Sequence, residues 1–265
     1  MIEPIQIAGE AAWLKHYDNG SGRRYRLAAL DLLARKLGLG PLRPPPHHAG
    51  RDARDVEQRR ILELQDAGVR VPQILGVGDG ALVLSDIGPT LASRMREVAG
   101  EPARLDALTE EAIAAIGDGH ARGAHFGQPW PRNLTVDERG VGFIDFEEDP
   151  LEVMPLDDAQ ARDWVLFAYG TARYYGGRQD VLSGMIGDAL AQAPTEVAEA
   201  AGRVGARLAP LGRFARQLRH RDTRTVARAI SVLRAAAPLL LAIAVLLGID
   251  LIHDGEIDFF ADLLF

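Results

Sequence analysis

The sequence has no cysteine and a deficit of basic residues. Its 265 residues include 30 Lys and Arg against 37 Asp and Glu, which gives a net charge of −7. The lack of cysteine excludes disulfides, thiolate metal sites and cysteine nucleophiles. The negative charge argues against general binding to nucleic acid. Because the first residues show no basic stretch followed by an apolar run, we expect no secretion signal and a cytoplasmic location.

Long apolar runs are also scarce, although hydrophobic residues make up 47% of the chain and suffice for a core. One uncharged run spans residues 235–249 and falls short of the roughly 20 residues that cross a bilayer. Arginines crowd residues 203–234 in front of it, and such a segment is attracted to anionic lipids. For residues 235–249 we favour a buried helix. Contact with the inner-membrane surface is the second alternative, and a membrane-spanning helix is the third.

The region most informative about function contains two short apolar runs, residues 134–136 and 141–144, separated by the turn-forming sequence DERG. This pattern predicts a β-hairpin. Asn133 stands just before the first run and Asp145 just after the second. Because a hairpin returns its two ends to nearly the same place, we expect an amide and a carboxylate to lie side by side. Such an oxygen pair suits a hard cation such as Mg²⁺.

Hydrophobic periodicity predicts strands at the start of the chain and helices after them. Strand patterns occur at residues 5–17 and 74–87, the second with a turn at residues 78–80. Helical patterns occur at residues 25–39, 51–67, 90–98 and 105–119, and Asp163 opens a further apolar helix. We place a boundary near Gly88, between residues 1–88 and residues 89–265.

The order of residues around the hairpin resembles the catalytic and metal loops of small kinase-like phosphotransferases. The matching positions are His120, Gly123, Gly127, Pro131, Asn133, Asp145 and Phe146. These families include aminoglycoside phosphotransferases, lipopolysaccharide-core sugar kinases and the small atypical kinase of the KEOPS complex. The resemblance implies an α+β, two-lobed protein-kinase-like fold. Residues 1–88 would form a small β-rich N-lobe, and residues 89–265 a larger helical C-lobe.

The resemblance also implies a nucleotide site. Lys15, on an early strand, matches the lysine that binds the phosphates, and Glu57 matches the glutamate that pairs with it, with Glu63 as a second candidate. Asp86 and Gly88 match the hinge, where backbone groups meet the adenine. From the sequence alone, Lys15 could equally be an exposed residue at a strand end. Glu57 could be a solvent-facing residue of an Arg-rich helix, but the match of the whole segment favours its pairing with Lys15.

The resemblance also covers the metal-binding residues and an aspartate that supports the catalytic loop. Asn133 and Asp145 correspond to the ligands of Mg²⁺, so the resemblance implies ATP and Mg²⁺ as cofactors. Asp163 corresponds to an aspartate that braces the catalytic loop from behind. A carboxylate stabilised by the dipole at a helix N-terminus is a compatible interpretation of Asp163.

The main departure from the family is Gln128, which stands where the catalytic aspartate is expected. Phe126 and Trp130 likewise replace two histidines. Glutamine cannot accept the proton that the aspartate takes from the acceptor hydroxyl.

Two functions are therefore compatible with the sequence. The first is a slow phosphotransferase of the small-molecule or lipopolysaccharide-sugar kinase type, in which Gln128 orients the hydroxyl of an unidentified sugar or lipid. The second is a nucleotide-binding pseudokinase that acts as a scaffold or regulator at the inner membrane. Nucleotidyl transfer is a third, weaker hypothesis.

Overall fold

A computed structural model describes residues 1–17, 31, 32 and 34–218 of the chain. Over these residues the protein is a mixed α+β fold, with a small antiparallel sheet at the N-terminus and helices after it. This confirms the predicted fold class at the level of α+β. Of the predicted helix at residues 25–39, residues 25–30 and 33 lie outside the described residues, and residues 31, 32 and 34–36 are helical. The apolar run at residues 235–249 lies entirely outside the described residues.

The N-terminal sheet consists of two hairpins joined side by side. Its strands are β1 (Ile2–Ile7), β2 (Glu10–His16), β3 (Ile74–Gly78) and β4 (Ala81–Ser85), in the order β1-β2-β4-β3. Strand β4 alternates buried and half-buried residues, and Leu82 and Leu84 face the core. The helix α1 (Gly50–Asp66) contributes Ile61 and Leu64 to the same core. The predicted strands and helix are therefore confirmed here.

A second, two-stranded sheet lies between the later helices. Its strands are β5 (Leu134–Asp137) and β6 (Gly140–Phe143), which confirms the predicted hairpin. The helices are α2 (Leu91–Glu97), α3 (Pro102–Ala121), α4 (Leu156–Ala172), α5 (Gln179–Gln192) and α6 (Thr195–Leu218). Thr90 is the N-cap residue of α2, and its side chain accepts a hydrogen bond from the Ser93 amide, the usual role of Thr at this position.

Main-chain hydrogen bonds attach the hairpin to the segments on either side of β3 and β4. The amide of Phe143 donates to the carbonyl of Arg70, and the amide of Val136 donates to the carbonyl of Pro89. At the open end of the hairpin the amide of Ile144 donates to the carbonyl of Asn133 at 2.9 Å. Asn133 and the residue after Ile144, Asp145, thus leave the hairpin from the same end, as the sequence predicted.

One continuous hydrophobic core joins the first sheet to the helices. It extends from Leu82 and Ile61 at the sheet to Trp164 and Phe167 on α4 and to Val197 on α6. The predicted boundary near Gly88 falls in the short connection between β4 and α2. The sheet and helices therefore share buried surface, which holds the loops between them in fixed relative positions.

The prediction that Asp163 opens a helix is wrong. Helix α4 begins at Leu156, and Asp163 lies well inside it, completely buried. The dipole of a helix acts on charges within its first turn, so it cannot account for this carboxylate. The carboxylate must instead find its partners in the neighbouring loop.

Helix α4 approaches that loop so closely that Gly170 has no room for a side chain. A Cβ atom at Gly170 would lie 2.6 Å from a ring carbon of Trp130 and 2.8 Å from a ring carbon of Pro131. We predict that Gly170→Ala lowers the free energy of unfolding by about 1–3 kcal/mol, the usual cost of overpacking. The matched control is Gly187→Ala in α5, where no atom lies within 4 Å of the new methyl group.

The control should raise the free energy of unfolding by about 0.5–1 kcal/mol, because alanine favours a helix. Urea denaturation of both variants measures the two changes. Equal effects in both variants would show that the close contact between α4 and the loop does not exist.

Candidate functional site

Lys15 is buried among three carboxylates. Its side-chain ammonium lies 2.8 Å from an oxygen of Glu57, 2.7 Å from Asp145 and 2.9 Å from Glu147. Lys15 on β2 is 5% exposed, and Glu57 on α1 is fully buried. The predicted contact between Lys15 and Glu57 is therefore formed. The alternatives of an exposed lysine at a strand end and a solvent-facing glutamate are both wrong.

Glu57 connects three parts of the chain. One carboxylate oxygen accepts a hydrogen bond from the Tyr17 hydroxyl at 2.6 Å and lies 2.8 Å from the Lys15 ammonium. The other accepts a bond from the main-chain amide of Phe146 at 3.3 Å. The second candidate, Glu63, instead pairs with Arg59 and Arg60 on its own helix. Glu57 is thus the acid that ties the sheet to the segment after β6.

Burial and charge act in opposite directions on the Lys15 ammonium. Burial alone would lower the pKa of Lys15, but the carboxylates of Asp145, Glu57 and Glu147 outweigh it and hold this pKa well above its usual value. Burial raises the pKa of Glu57, while the adjacent ammonium opposes that change. Because the ammonium stays charged, it holds the carboxylates together and could equally hold an anionic group.

The acidic cluster around Lys15 has the spacing of a metal site. Carboxylate oxygens of Glu57, Asp145 and Glu147 lie within 4.8 Å of one another. However, the Lys15 ammonium contacts all three carboxylates, so we assign the cluster to binding this ammonium and not to a metal ion held by all three. Asp145 has a backbone φ of 69°, which is uncommon for a residue other than glycine and often marks a functional position.

Asn133 is buried at the start of the hairpin. Its side-chain nitrogen donates a hydrogen bond to the main-chain carbonyl of Gln128 at 3.0 Å. This bond turns the side-chain oxygen away from that carbonyl. Binding of Mg²⁺ by the amide oxygen of Asn133 and the carboxylate of Asp145, which the resemblance implies, stays a prediction. Both donors are the oxygen ligands that Mg²⁺ requires.

Gln128 is tied at both ends of its amide. Its nitrogen donates to a carboxylate oxygen of Glu148 at 2.6 Å, and its oxygen accepts from the Trp130 ring nitrogen at 3.3 Å. Burial raises the pKa of Glu148, while the guanidinium of Arg162 opposes this change. Sequence reasoning missed Glu148. The sequence feature that could have identified Glu148 is the run of acidic residues after Phe146, because the loop around Gln128 lacks a carboxylate at residue 128.

Asp163 holds the loop that contains Gln128 from behind. Its carboxylate accepts hydrogen bonds from the main-chain amides of Phe126 and Gly127, both at 2.8 Å, and contacts His120 at 3.0 Å. The neighbouring Arg162 donates to the carbonyl of Gly127 at 3.0 Å. Asp163 thus makes the bracing contacts that the sequence predicted, from the middle of its helix.

Asp149 connects the same loop to α1. Its carboxylate lies 2.9 Å from the Arg59 guanidinium and 3.1 Å from the His125 ring. Burial would raise the pKa of Asp149, but hydrogen bonds from His125 and Arg59 outweigh it and hold this pKa well below its usual value. The sequence analysis did not identify this network, because its members lie far apart along the chain.

The predicted hinge residues form a tight turn between β4 and α2. The amide of Gly88 donates to the side chain of Asp86 at 2.8 Å, and Gly88 has a φ of 101°, which favours glycine. Contact of Asp86 and Gly88 with an adenine stays a prediction.

The predicted basic segment at residues 203–234 is described only in part. Arg203 lies 3.8 Å from Glu199, and the arginines beyond residue 218 lie outside the described residues. In the part of the chain that is described, no helix is long and apolar enough to cross a membrane.

The pairing of Lys15 with Glu57 can be tested with a double-mutant cycle. We predict that Lys15→Met lowers the free energy of unfolding by about 3–5 kcal/mol, because it leaves buried carboxylates without their cation. Adding Glu57→Gln to Lys15→Met should recover part of this loss, since the double variant removes the most deeply buried of these charges. Urea denaturation of the wild type, both single variants and the double variant measures the coupling. Additive losses would contradict the pairing.

The ionisation of Asp149 makes the stability of the folded protein depend on pH. Because its pKa is lowered in the folded state, ionised Asp149 stabilises the protein above the pKa of an unfolded Asp, about 3.9. This contribution is lost as the pH falls through the lower folded-state pKa. We predict that Asp149→Asn lowers the free energy of unfolding by about 1–3 kcal/mol at pH 7. The difference between this variant and the wild type in the free energy of unfolding should become smaller below about pH 4.

The matched control is Asp79→Asn, since Asp79 also pairs with an arginine, Arg51, but is exposed. Chemical denaturation at a series of pH values should show no comparable pH-dependent difference for this control. A constant difference for Asp149→Asn across the whole pH range would contradict the role of its charge.

Comparison with known proteins leaves the family open. No protein-family profile matches the sequence. Over 146 residues the chain is 26% identical to a Haemophilus influenzae protein that is described as uncharacterized. The match covers 55% of this chain and 52% of that relative, so the chain spans about half of the relative's length.

Proposed function

We propose that the protein is a kinase-like phosphotransferase that uses ATP and Mg²⁺. The observation that supports this most directly is the contact of Lys15 with both Glu57 and Asp145, at 2.8 and 2.7 Å. Folding brings a strand lysine, a helix glutamate and the aspartate after the hairpin to one point. These three residues are the ones that the resemblance assigned to a nucleotide site.

The proposed fold is the two-lobed kinase-like arrangement, with a small lobe at residues 1–88 and a helical lobe at residues 89–265. In support, the N-terminal sheet and α1 precede the helices, and the connection at Gly88 is short. Asp86 and Gly88 would present backbone groups to the adenine. Lys15 would bind the α- and β-phosphates.

Asn133 and Asp145 would carry Mg²⁺, which neutralises charge on the phosphates when it is bound. The chain itself supplies the positions of these groups. Both residues lie at the open end of the hairpin β5–β6, and the carboxylate of Asp145, whose backbone φ is 69°, lies 2.7 Å from the Lys15 ammonium. Phosphoryl transfer depends mainly on positioning and charge stabilisation, so rigid support of these residues is functionally relevant.

The proposed acceptor is a hydroxyl group on a sugar or lipid. The arginines of residues 203–234 are the feature that favours an anionic acceptor or an anionic membrane surface. Gln128 would orient the hydroxyl by hydrogen bonding. Loss of a general base at that position usually costs about 10²–10⁴-fold in rate. We therefore expect slow turnover if Gln128 works alone.

The second candidate is a nucleotide-binding pseudokinase that acts as a scaffold or regulator. The observation that favours it is again Gln128, whose amide is held on both sides by Glu148 and Trp130. A side chain held in this way is suited to a fixed structural role. The pseudokinase would bind nucleotide through Lys15 and Asp145 without transferring the phosphate.

Nucleotide binding is tested by thermal unfolding with ATP, with and without Mg²⁺. At a Mg-ATP concentration of about 100 times Kd, binding stabilises the folded state by about 2.7 kcal/mol and should raise Tm by roughly 5–10 °C. Asp145→Asn should abolish the part of the shift that depends on Mg²⁺. Asp188→Asn, an exposed substitution on α5, is the control and should keep the full shift. A wild-type protein without any shift at millimolar Mg-ATP refutes both candidate functions.

The two candidates differ in ATP consumption. If the wild type consumes ATP and Asp145→Asn abolishes this activity, the protein is an enzyme. If the wild type binds Mg-ATP without consuming it, and Gln128→Asp creates activity, the protein is a pseudokinase.

A further inference from the structure

The loop lacks a carboxylate at residue 128, but a carboxylate lies beside it in space. The side-chain nitrogen of Gln128 donates to one oxygen of Glu148 at 2.6 Å. The two residues are 20 positions apart in the sequence, so only the fold brings them together. The side chain of Glu148 is half-buried.

The pair adjoins the residues proposed to carry the metal. The main-chain carbonyl of Gln128 accepts the hydrogen bond from the Asn133 side chain at 3.0 Å. Glu148 follows Asp145 by three positions along the same segment, and the negative charge of Asp145 acts on it. Glu148 therefore lies beside residue 128, the position at which the resemblance places the catalytic carboxylate.

The hydrogen bonds of Gln128 orient Glu148. The Gln128 oxygen is engaged by the Trp130 ring nitrogen, which turns the Gln128 nitrogen toward Glu148. That bond engages the Oε2 atom of Glu148 and fixes the plane of its carboxylate. Gln128 thus acts as a support for an acid that comes from the next loop.

We infer that Glu148 is the general base of the proposed phosphotransferase and that Gln128 positions it. The inference rests on the proposed function. In the step, the acceptor oxygen forms a bond to the γ-phosphorus while the bond from that phosphorus to the β–γ bridging oxygen breaks. The hydroxyl proton passes to the Glu148 carboxylate, and ADP leaves with the electron pair of the broken bond. Water in place of the hydroxyl gives ADP and inorganic phosphate.

A purely structural role for Glu148 is the competing explanation. The guanidinium of Arg162 interacts electrostatically with Glu148 and also donates to the carbonyl of Gly127. Removing the Glu148 charge could therefore disturb the loop without any effect on a proton. A test must separate this loss of support from the loss of a base.

The experiment measures ADP formation from Mg-ATP by the full chain, with water as the acceptor. Four proteins are compared: wild type, Glu148→Gln, Glu148→Gln combined with Gln128→Asp, and Glu138→Gln. Glu138 is an exposed residue of the hairpin turn and is the matched control. Mg-ATP binding is measured on each protein by thermal shift, which separates nucleotide binding from turnover.

We expect Glu148→Gln to bind Mg-ATP within about twofold of wild type and to form ADP about 10²–10⁴-fold more slowly. Glu138→Gln should match the wild type. The double variant should regain at least tenfold over Glu148→Gln, because it returns a carboxylate to the loop at residue 128. Thermal unfolding without nucleotide separates the two roles: a base leaves the Tm of Glu148→Gln near that of the wild type, whereas loss of a structural support lowers it.

Three results overturn the inference. Unchanged ADP formation in Glu148→Gln excludes Glu148 as the base. A wild type that binds Mg-ATP but forms no ADP above the protein-free rate excludes it as well. A double variant no faster than Glu148→Gln, with binding intact, assigns Glu148 to structure. Failure of the wild type to bind Mg-ATP is a separate result, which refutes the proposed function and the inference with it.

Discussion

The buried ammonium of Lys15 is the interaction on which the candidate site depends. An ammonium loses its hydration inside a protein, and it remains charged there only if carboxylates compensate for that loss. Here the compensation comes from Glu57 on α1 and from Asp145 and Glu147 after the hairpin. The first sheet, α1 and the open end of the hairpin must therefore be assembled together. Displacement of any one would remove at least one partner from a buried charge.

The loop between α3 and β5 depends on a second set of charged residues. A loop without regular structure needs partners for its main-chain groups, and buried main-chain groups without partners are costly. Asp163 and Arg162 on α4 bind the amides and a carbonyl of residues 126–127. Asp149 joins His125 in this loop to Arg59 on α1. The loop is therefore held from two sides, which is the rigidity that a positioning site requires.

Neighbouring acids in the segment after β6 behave differently because their surroundings differ. Burial raises the pKa of Glu148, which has an amide as its hydrogen-bond partner. Asp149 comes next in the chain, and its hydrogen bonds with His125 and Arg59 lower its pKa. One acid is thus suited to exchange a proton, and the other to remain ionised as a structural anchor. Under the proposed function, Glu148 on the neighbouring segment would supply the carboxylate that is missing at residue 128.

The sequence by itself determined the hairpin, the sheet and the helices that precede α4, because periodicity and turn residues are local signals. It also indicated that Asn133 and Asp145 leave one end of the hairpin. Only the tertiary structure decided that Asp163 lies inside its helix, that Glu57 and not Glu63 meets Lys15, and that Glu148 lies beside Gln128. Contacts between distant positions depend on how the elements pack, and no local pattern encodes them. The charge of Glu148 is visible in the sequence, but its partner is chosen by the fold.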